Sequence, residues 1–95
     1  MGKNRSTHIT KEIQFSLVAV DAKKVSLVGE FNNWNPDADP MQRDKNGTWT
    51  KTKRLSPGNL EYKFLVDNEW IQDPQNMRVC SNCFGTQNNI VKVIL

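Results

Sequence analysis

Apolar and polar residues alternate with a period of two through most of the chain, and no useful window shows the three-to-four spacing of an amphipathic helix. In EIQFSLVAV, Ile13, Phe15, Leu17 and Ala19 fall on one face, with Gln14 and Ser16 on the other. In KVSLVGEF, Val25, Leu27 and Phe31 share a face. The stretch LEYKFLVD sets Leu60, Tyr62, Phe64 and Val66 inward and leaves Glu61, Lys63, Leu65 and Asp67 pointing the other way. The chain closes on NNIVKVIL, with Ile90, Lys92 and Ile94 on one side and Val91, Val93 and Leu95 on the other.

Turn chemistry divides these runs. Lys45-Asn46-Gly47 carries the Asn-Gly pair of tight hairpins, and Ser56-Pro57-Gly58-Asn59 has Pro and Gly where a type II turn wants them. Asp67-Asn68 is a further tight-turn candidate. About seven short antiparallel strands spaced in this way predict an all-β chain folded as a two-sheet sandwich. The sheets must face one another over the inward sets, because two strands alone are unstable.

A chain of 95 residues makes one domain, and at that size a single core buries only about two-thirds of the unfolded surface. We expect residues 1–10 to be a flexible tail and 11–95 the sandwich module. With 37% apolar and 24% charged residues, the composition fits a folded globular chain rather than a disordered or collagen-like one. No stretch approaches the roughly 20 apolar residues of a bilayer span. The basic start MGKNRSTHITKE leads into no apolar run of the secretory kind, so the expected location is the cytoplasm. Gly2 and Ser6 also satisfy the loose M-G-x-x-x-[ST] acylation pattern, an alternative to a plain tail.

The net charge of +3 permits weak attraction to anionic surfaces without demanding it. Lys51, Lys53 and Arg54 come nearest to a basic cluster, and their alternation on a strand reads as a solvated face or edge protection. Cys80 and Cys83 form a C-x-x-C, but the lone His8 sits in the tail and leaves a zinc site short of ligands. A histidine-based nucleophilic triad lacks parts for the same reason. Asp37 and Asp39 share one short loop, where carboxylates set turns more often than they flank a cleft. The same loop echoes the opening of a calcium loop, but Pro40 stands at its glycine position. We expect no metal, no cofactor and no catalysis.

Trp34 then needs a reason to sit between asparagines in NNWNP. Three stretches, VSLVGEFNNWNP, YKFLVDNEWIQDP and FGTQNNIV, occur in the order that resembles carbohydrate-binding module family 48. This is the glycogen- and starch-binding module of the AMP-activated protein kinase β subunit and of branching enzymes and isoamylases. The resemblance covers roughly residues 12–93 and implies an immunoglobulin-like, early-set β-sandwich. It implies an α-glucan or maltooligosaccharide as ligand, and a glucan-metabolising enzyme or kinase as a protein partner.

Glucose rings present flat C–H faces rimmed by hydroxyls, so a binder needs aromatic planes and hydrogen-bonding side chains. By the resemblance, Trp34 and Trp70 are the stacking planes and Lys63 a sugar-contacting lysine. Phe84 is the apolar probe, replacing the kinase module's leucine, and Thr86 and Asn88 bond glucose hydroxyls. Trp49, on a strand of alternating Thr and Lys, reads as structural. Two rival readings stand beside glucan binding. One is an early-set module that binds protein rather than sugar; the other is a nucleic-acid binder stacking bases on its tryptophans. Scattered basic residues disfavour nucleic acid as a partner.

Overall fold

The computed structural model describes residues 9–81 and 86–95. The described residues form strands β1 (Lys11–Val18), β2 (Val25–Gly29), β3 (Gln42–Arg43), β4 (Thr48–Leu55) and β5 (Gly58–Val66), followed by β6 (Glu69–Ile71), β7 (Val79–Ser81) and β8 (Gln87–Val93). A single 3₁₀ turn, Glu30–Asn32, follows β2. One sheet has the order β1-β4-β3; the other runs β2-β5-β8-β7, with β6 also on β5. All described strand pairs are antiparallel, and the fold is the expected immunoglobulin-like sandwich. The two-residue β3 is too short for periodicity to reveal. Most of the expected tail, residues 1–8, lies outside the described residues.

The inward sets meet as the alternation requires. Phe15, Leu17 and Trp49 from the smaller sheet pack with Val25, Leu27, Tyr62, Phe64 and Val93 from the larger. Rings link the layers: Phe31 lies 5.7 Å from Phe15, and Phe15 meets Tyr62 edge-on at 4.9 Å. Tyr62 in turn meets Phe64 edge-on at 5.9 Å, the geometry that ring quadrupoles favour. Trp49 is buried, and its indole N–H donates to the Ala19 carbonyl at 2.9 Å, which confirms it as a core residue.

The marked turns fare differently: at Ser56-Pro57-Gly58-Asn59 the chain only bends at Pro57, and Gly58 and Asn59 already belong to β5, because the chain there passes from one sheet to the other instead of folding back on itself. Asp67 and Asn68 both have positive φ, 48° and 72°, as a primed two-residue hairpin between β5 and β6 demands. Asn46-Gly47 belongs to a longer loop than a two-residue turn. Asp44 N–H donates to the Thr48 carbonyl at 2.9 Å and the Asp44 carboxylate accepts from Asn46 N–H at 2.7 Å, leaving Gly47 to supply φ 84°.

The reading of Lys51 and Lys53 as a solvated face is corrected. Trp49, Lys51, Lys53 and Leu55 share the inner side of β4, paired in register with Leu17, Phe15, Ile13 and Lys11 of β1. The two lysines run their stems along the flank of the core and end on a buried carboxylate, Asp39, at 3.8 and 3.2 Å. Lysine alternation alone pointed to solvent; the missing signal was a carboxylate more than ten residues away in sequence.

A second polar network closes the other end. Tyr62 donates its hydroxyl hydrogen to Asp73 at 2.7 Å and accepts from the Asn76 amide at 3.0 Å. Asn89, fully buried, accepts from Asp73 N–H at 2.6 Å and donates to the Asn76 carbonyl at 2.9 Å. Burial pushes the Tyr62 phenol well above its ordinary value, and Asp73 adds to the shift.

Phe64 is wholly buried, so Phe64→Ala should cost about 3–5 kcal/mol. For a domain of this size that corresponds to a fall in melting temperature of more than about 12 °C. Thermal unfolding followed by circular dichroism measures it, and an unchanged midpoint would mean that the faces of β5 are inverted.

Candidate functional site

The outer face of the larger sheet carries what the inner face does not use. Because Tyr62 pairs with Asn89 and points inward, Lys63 and Asn88 stand one step on, on the outer face of adjoining strands. On the other side of β5, Val28 is the register partner of Lys63. Leu65, two residues along the same face, pairs with Trp70 of β6. Trp70 is 51% exposed.

Lys63 Nζ donates to Thr86 Oγ1 at 3.2 Å, so two of the residues assigned by resemblance are in direct contact. Asn88 donates its amide to Glu61 Oε1 at 2.9 Å. Glu61 was read only as outward-facing; its place two residues before Lys63 was the available signal. Lys63 and Asn88 are largely covered, at 8% and 6% exposure, while Thr86 is exposed. Removing Asn88 therefore touches stability as well as any ligand. Cys80 pairs in register with Asn88 and shares this face. Burial, with the hydrogen bond and charge of Glu61, pushes its thiol above the ordinary value. Phe84 and Cys83 lie outside the described residues.

Trp34 is positioned by a different route. Gly29 ends β2 so close to β5 that a Cβ there would lie 2.6 Å from the Glu61 carbonyl oxygen, and no larger residue fits without movement. The chain then makes the 3₁₀ turn and enters the left-handed region at both Asn33 and Trp34, with φ 57° and 58°. A tryptophan at positive φ is a backbone outlier, costing on the order of 1–3 kcal/mol, and it persists only where its surroundings impose it. Here Trp34 N–H donates to the Gly29 carbonyl at 2.9 Å.

Asn32 supplies the rest of the restraint. Its carbonyl oxygen accepts from Gly29 N–H at 3.1 Å, and its amide donates to the Leu27 carbonyl at 3.0 Å and to Asp39 Oδ2 at 2.8 Å. Asn35 accepts from Asp37 N–H at 2.9 Å, which tightens the turn after the tryptophan. The asparagines around Trp34 thus hold the loop rather than solvate it.

Asp39 is 5% exposed. Desolvation, the largest single influence, raises its pKa, but the Asn32 and Lys53 hydrogen bonds with the Lys53 and Lys51 charges outweigh it and hold the carboxyl below its ordinary 3.8. Asp39 is therefore committed to structure. Among the described residues no group of three His, Cys, Asp or Glu side chains is placed to hold a metal ion.

Residues 12–94 match the family model for the glycogen recognition site of AMP-activated protein kinase. The chain belongs to this glycogen-recognition family. It is 42% identical over 71 residues to the 5'-AMP-activated protein kinase subunit beta-1 of Sus scrofa, covering 75% of this chain and 55% of that protein. The Homo sapiens subunit beta-1 is 41% identical over 71 residues, 75% of this chain and 25% of the subunit. A plant relative, the chloroplastic protein FLOURY ENDOSPERM 6 of Oryza sativa subsp. japonica, is 39% identical over 72 residues, 76% of this chain and 13% of its own length. The module therefore spans about half or less of the curated relatives it matches.

A depressed folded-state pKa at Asp39 contributes stability that is present above 3.8 and lost as pH falls through the lower folded value. Melting temperatures measured from about pH 6 down to about pH 3 should fall more steeply in the wild type than in Asp39→Asn, which has no carboxylate to protonate. Parallel curves would remove Asp39 from the acid response.

Proposed function

We propose that this module binds α-glucan, glycogen-like or starch-like, without catalysis, on the outer face of its larger sheet. The carrying observation is that Lys63, Thr86 and Asn88 cluster on one face with the half-exposed Trp70, and that the strained Trp34 loop is built against the neighbouring strand. Trp34 and Trp70 offer planes for the apolar faces of glucose, and Lys63, Thr86 and Asn88 a polar rim, with Phe84 as apolar probe. Membership of a glycogen-recognition family supports the same ligand.

The turning inward of Lys51 and Lys53 disfavours nucleic acid, because the nearest basic cluster is spent on Asp39. The proposed protein partner is a glucan-metabolising enzyme or a kinase, and the names of the kinase-subunit relatives favour the second. No helix among the described residues is long and apolar enough to cross a membrane. The proposed location is the cytoplasm, although two plant relatives are chloroplastic proteins by name. Residues 1–10 are proposed to form a tail outside the module.

Native gels containing glycogen, with dextran as the control polymer, test the reading. The wild type should be retarded by glycogen alone, and Trp34→Ala or Trp70→Ala should each weaken that retardation, since an aromatic contact of this kind contributes roughly 1 kcal/mol. Wild-type retardation in both variants would refute this site.

Asn88 and Asn89 are separated by the pleat. With maltoheptaose in isothermal titration, Asn88→Ala should lose roughly 0.5–1.5 kcal/mol of affinity. Asn89→Ala should lower the melting temperature more than Asn88→Ala does, because it leaves Asp73 N–H and the Asn76 carbonyl unpaired, and should alter the affinity less. The reverse pattern of affinities would move the site to the other face.

A further inference from the structure

A groove of about 130 Å³ opens on the outer face beyond Leu65, between the loop that follows Trp34 and the β5–β6 hairpin that leads to Trp70. Its floor is Ser26 and Leu65, neighbours in register on β2 and β5. Asp37 stands on one wall, Asp67 and Asn68 on the other, and Lys24 at the end. That volume is many times the ~10–15 Å³ needed by one water molecule.

Two features mark the groove as more than a gap between loops. Ser26 is 2% exposed, yet its hydroxyl makes no hydrogen bond with the described residues, an unusual state for a covered polar group. The floor is also continuous with the site already described. Ser26, Leu65 and Trp70 form one cross-strand row over β2, β5 and β6, so two strand spacings, about 10 Å, separate Ser26 from Trp70.

The walls decide the ligand chemistry. Asp67 is occupied, accepting from Lys23 N–H at 3.0 Å and Lys24 N–H at 2.8 Å. The side chains of Asp37, Asn68 and Lys24 make no such bond among the described residues, and they offer a carboxylate, an amide and an ammonium over a short arc. Mixed signs of this kind repel a phosphate on one side as much as they attract it on the other. They suit a neutral group that donates and accepts at several points, which is a sugar ring with its hydroxyls.

We infer that this groove is an additional glucosyl subsite, which takes the next unit of a chain already stacked on Trp70 and gives the Ser26 hydroxyl a partner. This rests on the glucan-binding reading above and extends the site from the Trp70 row to the edge of β2.

Isothermal titration with maltotriose and maltoheptaose tests it, using wild type, the double variant Asp37→Ala with Asn68→Gly, and Trp70→Ala. Glycine keeps the positive φ of 72° at position 68, so the hairpin survives while the amide is lost. The double variant should bind maltoheptaose roughly three- to tenfold more weakly than wild type, the size of one neutral hydrogen bond. Its affinity for maltotriose should stay within about twofold, whereas Trp70→Ala should weaken both. Lys24→Ala, which alters neither turn, should show the same length-dependent loss. Unchanged maltoheptaose binding in both groove variants would overturn the subsite while leaving the main site standing, as would equal losses for the two sugars. A wild type that binds neither sugar would overturn both readings together.

Discussion

The constraint on which everything else rests is the pleat of β5. Side chains on a strand point alternately to opposite faces, so Tyr62 and Phe64 can enter the core only if Glu61, Lys63 and Leu65 face outward. The core thereby fixes the site, since each inward ring holds an outward neighbour in place. Flanking strands repeat the arrangement, with Leu27 inward and Val28 outward on β2, and Asn89 inward and Asn88 outward on β8. A slip of one residue would bury the rim and expose the rings, and the apolar cost of that exchange is what pins the register. Binding chemistry and folding are not separable on this sheet.

Amide side chains divide the work in a way that residue type does not announce. Asn32 and Asn76 tie their loops to backbone carbonyls of β2 and β8, Asn89 bonds the backbone of the loop before β7, and Asn35 tightens a turn. Asn88, beside Asn89 in the chain, points to the other face and meets Glu61. Long segments without regular structure, 33–39 and 72–78, would otherwise leave polar backbone groups unpaired, and a primary amide satisfies a donor and an acceptor at once. An asparagine-rich stretch near a tryptophan is thus first a scaffold for the loop and only then a surface for a ligand.

Much of this was legible in advance, for reasons that can be stated residue by residue. The alternation in LEYKFLVD placed Phe64 inward and Lys63 outward, and Asp67-Asn68 made its turn because both residues tolerate positive φ. The resemblance assigned Lys63 and Thr86 to one ligand surface, but their direct contact across 23 residues of sequence was not read in advance. What escaped was long-range polar pairing. Nothing local in KTK says that its lysines end on Asp39, and nothing in GEFNNW says that Asn32 ties the turn to that same carboxylate. Electrostatic partners have no sequence period, whereas burial does.

Trp70 rides on the three-residue strand β6, which among the described residues pairs only with β5 and is joined to it by a two-residue turn. Segments so short and so exposed open with far less free energy than the global unfolding of a domain. Trp34, by contrast, is clamped between the core-bound Gly29 and the Asn32 hub. One aromatic plane is therefore an anvil and the other a hinged plate. In the proposed binding mode, a glucan lying across both would meet a fixed wall at one end and a more yielding surface at the other, and differing polymer pitch would be met without repacking the interior.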